Sequence, residues 1–231
     1  MVPRQGAIAI FVKTPGYSPL KTRLAATIGQ SLAEEFHQLS AKAVEAVVRV
    51  ASKRTRAIPF WAVAEADAVS DPVWDEFPTI SQGTGDLGTR LSHVNQILST
   101  KYDYVIFLGA DAPQLPVDYL IQAVNHLSSF TDRDQFVVGP ASDGGFYLFG
   151  TQLCLSQETW LNIPYSESNT TEKLLKQIQN KGDVHLLPVL TDVDTDHELK
   201  AVKQQAGDAR SILPEQLEVV EWIQKLGFQN P

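Results

Sequence analysis

Short β-rich apolar runs alternate with longer amphipathic stretches along the whole chain, and this alternation constrains the fold more than any other feature. It predicts an α/β protein with three layers, α/β/α, in which helices cover both faces of a mostly parallel sheet. The candidate strands are Ala7–Val12, Ala57–Val63, Tyr104–Leu108, Gln135–Val138, Phe146–Phe149 and Val184–Leu190. Between the first two, Ser31 and Glu34 have capping-box spacing, and Leu32, Phe36, Leu39, Ala43, Val47 and Val50 recur at helical intervals. Further helices are expected over Leu87–Ser99, Val117–Ser128, Thr170–Asn180, Glu198–Gln205 and Pro214–Leu226. Neither repeat nor linker divides the chain, so residues 1–231 are read as one domain, and 43% apolar content is enough to fill its core.

Nineteen Lys and Arg against 27 Asp and Glu leave a formal charge of -8, which argues against a surface built for nucleic acid or anionic lipid. Any anionic substrate must therefore meet locally placed cations or a metal. Cys154 is the one cysteine, so no internal disulfide can form, and its place between Leu153 and Leu155 predicts burial. The start, Met1-Val2-Pro3-Arg4-Gln5-Gly6, runs into an apolar segment without a small-residue cleavage site. No apolar run reaches the roughly 18 residues of a membrane span. A cytoplasmic chain with no membrane span is the expectation.

The polar and glycine-rich segments fall mainly after strands, where an open α/β sheet places its ligand crevice. After the first strand, Lys13-Thr14-Pro15-Gly16-Tyr17-Ser18-Pro19-Leu20-Lys21-Thr22-Arg23-Leu24 brings three cations into one loop. Lys13, Lys21 and Arg23 suit a pyrophosphate through charge-assisted hydrogen bonds; a solvated basic loop is the plainer alternative. Gly83-Thr84-Gly85-Asp86-Leu87-Gly88 opens a helix, so it reads equally as a place where a ligand approaches backbone N–H groups or as a turn with Asp86 as N-cap.

Asp111 lies just past a buried strand, a position suited to Mg²⁺ or Mn²⁺ or to capping the turn before Pro113. Asp143, in Ser142-Asp143-Gly144-Gly145, stands in a hairpin turn or faces the crevice. Asp192 and Asp194 alternate around Val193, so in an extended segment both carboxylates share one side and call for a cation between them, while Thr195 and Glu198 have capping-box spacing. The five histidines are scattered without metal-ligand spacing.

Six segments in order resemble a bacterial family of GT-A-type glycosyltransferases of the arsenosugar-biosynthesis type. They are Lys21-Thr22-Arg23-Leu24-Ala25 with its preceding loop, Gly85-Asp86-Leu87-Gly88-x-Arg90-Leu91, Gly109-Ala110-Asp111-x-Pro113, Gly139-Pro140-Ala141-x-Asp143-Gly144-Gly145-Phe146-Tyr147-Leu148, Ile163-Pro164-Tyr165-Ser166 and Asp192-Val193-Asp194-Thr195. That family is similar to the molybdenum-cofactor and phospholactate guanylyltransferases. The resemblance implies a nucleotide-diphospho-sugar transferase-like fold, with the metal on Asp111, Asp192 and Asp194. It also implies phosphates on Lys13, Thr14, Pro15, Gly16, Lys21 and Arg23, and a base or ribose near Gly85, Asp86, Leu87, Gly88 and Arg90. Ala110 stands where the family commonly has Ser, and the double aspartate of many sugar transferases is reduced to Asp111.

The expected function is metal-dependent transfer of a sugar from a nucleotide donor to an acceptor, with Lys21 and Arg23 stabilising the leaving diphosphate and Asp143 as general base. Nucleotidyl transfer from a nucleoside triphosphate, or nucleotide sensing without catalysis, are the alternatives. The partner in each case is a nucleotide or nucleotide sugar rather than nucleic acid.

Overall fold

The computed structural model describes residues 4–207 and 212–227; the start of the chain, residues 1–3, lies outside them. Seven strands form one sheet: β1 (Gly6–Val12), β2 (Ile58–Val63), β3 (Thr79–Ser81), β4 (Tyr104–Gly109), β5 (Gln135–Pro140), β6 (Phe146–Thr151) and β7 (Asp183–Leu186). Their order is β3-β2-β1-β4-β6-β5-β7. Strand β6 runs antiparallel to β4 and β5, and every other neighbouring pair is parallel.

The described residues also form eight α-helices, α1 (Thr22–Ile28), α2 (Gln30–Thr55), α3 (Leu87–Leu98), α4 (Val117–Ser128), α5 (Gln157–Leu161), α6 (Thr170–Ile178), α7 (Asp196–Gly207) and α8 (Pro214–Lys225), and two short 3-10 turns, Ala66–Ala68 and Pro72–Trp74. The period-two alternation of β1 shows why both faces are covered. Ile8, Ile10 and Val12 enter a core with Val44, Val47 and Val48 of α2 and Leu120 and Val124 of α4. Ala7 and Ala9 face the other core, with Leu91 and Val94 of α3, Trp160 of α5 and Leu174 of α6. A third cluster joins Leu24 of α1 and Phe36 of α2 to Leu199 of α7 and Trp222 of α8.

Several local expectations are corrected. Helix α2 starts at Gln30, behind Gly29 with φ 89° and ψ 154°, so Ser31 and Glu34 both lie within the helix and form no capping box. That backbone conformation admits glycine without strain. The last strand stops at Leu186 rather than Leu190: Pro188 has no N–H for a ladder, and pairing resumes only as an isolated bridge between Leu190 and Ala141. Cys154 is exposed rather than buried. In the turn after β6, Leu155 goes into the core and Leu153 packs against it, which leaves the residue between them pointing out. Among the described residues no helix is long and apolar enough to cross a membrane.

Candidate active site

A cleft of about 690 Å³ opens at the rim where β1 and β4 end and β6 begins. Its lining joins apolar side chains, among them Phe11, Leu91, Phe107 and Phe146, to a charged set of Lys13, Lys21, Arg23, His37, Asp111 and Asp194. The antiparallel course of β6 brings Phe146, at its start, beside the carboxyl end of β4: Leu108 pairs with Leu148.

Lys21 organises the charged part. Its ammonium lies 2.8 Å from an Asp111 oxygen and 3.8 Å from Asp194 Oδ1, and it donates to the Val193 carbonyl. The Lys21 side chain is 6% exposed, while the two carboxylates remain half-exposed. Burial opposes the charge on Asp111, yet the neighbouring Lys21, helped by His37 and Lys13, holds its carboxyl below the usual range. The backbones are joined as well, since the Val193 N–H donates to the Asp111 carbonyl at 3.1 Å. The end of β4 and the segment before α7 therefore meet although more than 80 residues separate Asp111 from Val193. Arg23 is 69% exposed and reaches Asp194 Oδ2 at 3.2 Å.

The first loop is pinned rather than flexible. Glu65, just beyond β2, accepts the Thr14 N–H at 2.9 Å and the Ser18 hydroxyl, and these bonds lower its pKa against the opposing effect of burial. The Trp74 indole N–H donates to the Thr14 hydroxyl at 3.0 Å, and His37 Nε2 donates to the Lys13 carbonyl at 2.9 Å. Thr14 is thereby buried, and neither Thr14, Pro15 nor Gly16 lines the cleft; Lys13, Lys21 and Arg23 do.

The Asp86 segment is committed to structure. Asp86 caps α3, accepting the Thr89 N–H at 2.8 Å and the Thr89 hydroxyl at 2.7 Å. Arg90 donates to the Gly85 carbonyl at 2.9 Å and to Gln82 Oε1 at 3.3 Å, and Gly88 packs against the Trp160 carbonyl. Of these residues Leu87 lines the cleft, as does Gln82, which directly precedes the glycines of this segment. Gln82 is buried at the end of β3, where its amide donates to the Val12 and Ala62 carbonyls at 3.2 and 2.8 Å. His37 and Glu65 are not legible in the sequence, because a helix-face histidine and a lone glutamate after a strand carry no motif.

Asp143 is exposed between β5 and β6, with Oδ1 taking the Gly145 N–H at 2.7 Å. Burial, then the charges of Asp143, Asp194 and Asp111, push the Asp192 carboxyl up to about 6. The three aspartates expected to hold a metal thus feel one another, but they do not surround one point. Among the described residues no three His, Cys, Asp or Glu side chains are grouped to hold an ion. The place between Asp111 and Asp194 belongs to the Lys21 ammonium, and Asp192 stands outside that pair. The oxygens of Asp111, Asp194 and Val193 are nonetheless a donor set that suits a hard divalent ion, with the ammonium as stand-in.

A raised carboxyl favours the folded state only while it is protonated, so ionising Asp192 costs stability as pH rises from about 4 to 6. Asp192→Asn is accordingly expected to melt higher than the parent at pH 7.5 and level with it near pH 4, in the presence of chelator. A gain equal at both pH values would contradict the raised Asp192.

The family described as "Uncharacterized protein conserved in bacteria (DUF2064)" matches residues 36–167. The chain belongs to that family. In this DUF2064 protein the match spans the Asp86, Asp111 and Asp143 segments, while the Lys13–Leu24 loop and the Asp192–Asp194 segment lie outside it. A Desulfovibrio desulfuricans G20 structure, provisionally named a nucleotide-diphospho-sugar transferase, is 23% identical, covers 95% of this chain and 94% of its own, and superposes with a TM-score of 0.77. A cytidylyltransferase from Leptospira borgpetersenii serovar Hardjo-bovis (strain JB197) is 12% identical, with 98% of each chain covered and a TM-score of 0.52. No curated protein matches the sequence. The likeness to solved structures establishes the fold, that of the nucleotide-diphospho-sugar transferases.

Proposed function

We propose that the chain is an enzyme, one nucleotide-binding transferase domain that moves a sugar from a nucleotide-diphospho-sugar to an acceptor. The observation that carries this reading is the cleft itself: about 690 Å³ at the carboxyl ends of β1 and β4, with Lys13 and Arg23 exposed on its charged side. In an acidic protein, exposed cations gathered in one cleft are suited to a bound diphosphate.

As the bond from the sugar carbon to the diphosphate breaks and the bond to the acceptor oxygen forms, negative charge grows on the leaving diphosphate. Lys13 and Arg23 stand ready to meet that charge, which is catalysis by fixed electrostatics without a covalent intermediate. Asp143, exposed at the turn that leads into β6, is the carboxylate we assign to take the acceptor hydroxyl's proton. A Mg²⁺ or Mn²⁺ ion held by Asp111 and Asp194 would add Lewis-acid stabilisation of the same leaving group. Within the family, the six ordered motifs support the arsenosugar-biosynthesis type.

A thermal-shift panel of nucleotides and nucleotide sugars, with and without Mn²⁺, tests the reading, because a ligand of the native state raises the melting temperature. Asp111→Asn is expected to remove the Mn²⁺-dependent part of the shift and to leave the free protein folded; an unchanged shift would remove Asp111 from the ion site. Release of pyrophosphate from a nucleoside triphosphate would replace sugar transfer by nucleotidyl transfer. Binding without turnover of any donor and acceptor would leave a sensor.

A further inference from the structure

We infer that Lys21 is a built-in counter-ion that alternates with a divalent metal at the same oxygens, and that its departure from them arms the cleft for a diphosphate. The inference rests on the nucleotide reading above and deepens it.

The seat of the ammonium is the starting observation. Two carboxylates and a main-chain carbonyl meet at Lys21 Nζ, with Asp111 at 2.8 Å and Asp194 at 3.8 Å. These are hard oxygen donors of the kind that hold Mg²⁺ or Mn²⁺, and a compact ammonium satisfies them in the same way. One ammonium faces an oxygen of each carboxylate, while the exposed Arg23 takes the other oxygen of Asp194, so a divalent ion in the ammonium's place would meet the same oxygens with twice its charge. A divalent ion and the ammonium cannot share it, since three positive charges would then crowd onto oxygens a few ångströms apart.

The backbone shows that this seat is held against a local preference. Lys21 has φ 45° and ψ 45°, a left-handed conformation unusual for a residue with a side chain, directly before the first residue of α1. The clamp offsets that cost while the ammonium is seated. The seat also lies in the wall of the cleft, so a Lys21 side chain released from Asp111 has the cleft to enter, where Lys13 and Arg23 already stand. Metal on the aspartates and phosphate on the freed lysine therefore favour each other, and by linkage the effect is reciprocal.

The test uses the full chain and Mn²⁺ alone, without nucleotide, read from the electron paramagnetic resonance signal of the free ion. Removing the ammonium by Lys21→Met is expected to tighten Mn²⁺ binding by about tenfold or more, the scale of ordinary coupling between sites. Adding Asp111→Asn to that variant is expected to abolish the gain. Equal or weaker binding by Lys21→Met, or a gain that survives Asp111→Asn, overturns the inference. Circular dichroism checks the fold, and Lys21→Gln, read by the same criterion, replaces any variant that does not fold.

A nucleotide-sugar thermal shift on the parent protein without metal reports the underlying reading separately. A shift with no Mn²⁺ gain keeps the nucleotide site and rejects the alternation. A Mn²⁺ gain with no shift by any nucleotide keeps the alternation at the aspartates and rejects the nucleotide site.

Discussion

Changing Lys13 and Arg23 together to alanine is expected to weaken binding of the nucleotide found by thermal shift about 100-fold. A hydrogen bond from a charged donor contributes about 1.5–3 kcal/mol, and both side chains are largely exposed, Arg23 while paired with Asp194, so the low end applies to each. Two such losses amount to about two decades of affinity. Both cations are exposed, so the melting temperature of the free protein should barely move. Titration calorimetry at two salt concentrations checks this, because the parent's affinity should fall with salt more steeply than the variant's. A loss below about threefold would place the phosphates elsewhere.

Trp160→Ala is expected to be the most destabilising single change considered, at roughly 3–5 kcal/mol. The side chain is 0% exposed and meets Phe107 and Phe149 edge-on, with ring centres 5.2 and 5.5 Å away. Its carbonyl accepts the Tyr165 hydroxyl at 3.1 Å and lies against Gly88, so the wall that carries Leu87 and Ser166 leans on this one short helix. Urea unfolding followed by far-ultraviolet circular dichroism gives the measurement. Trp160→Phe should cost clearly less, because the indole N–H has no hydrogen-bond partner among the described residues. A loss below about 1 kcal/mol for Trp160→Ala would mean that this aromatic layer repacks.

The sheet could be read from the sequence because its central strands are buried runs of β-branched and aliphatic residues whose period is two. The rim could be read because Asp111 and the loop from Lys13 to Leu24 each follow such a run. The shorter pieces could not. Strand β3 is the edge triplet Thr79–Ser81, too brief to show a period, and α1 follows a left-handed lysine that no helix-start rule anticipates.

Side-chain commitments were harder still. An aspartate that caps a helix and one that meets a ligand can stand in the same motif, and only the bonds from Thr89 assign Asp86 to capping. By its charge Lys21 belongs with the phosphate-facing cations, whereas its seat between Asp111 and Asp194 depends on a contact across more than 170 residues of chain. The pinned loop is a further case, since Glu65, Trp74 and His37 act on it from three separate elements.

Because β6 starts at the cleft and ends at the opposite rim, Cys154, three residues past its end, sits at the other end of the strand from the cleft. It is the chain's one thiol and it is open to solvent. A fluorophore or spin label can thus be coupled at a single defined point without engineering cysteines away. A dye placed there leaves the cleft unobstructed while it follows tumbling or assembly.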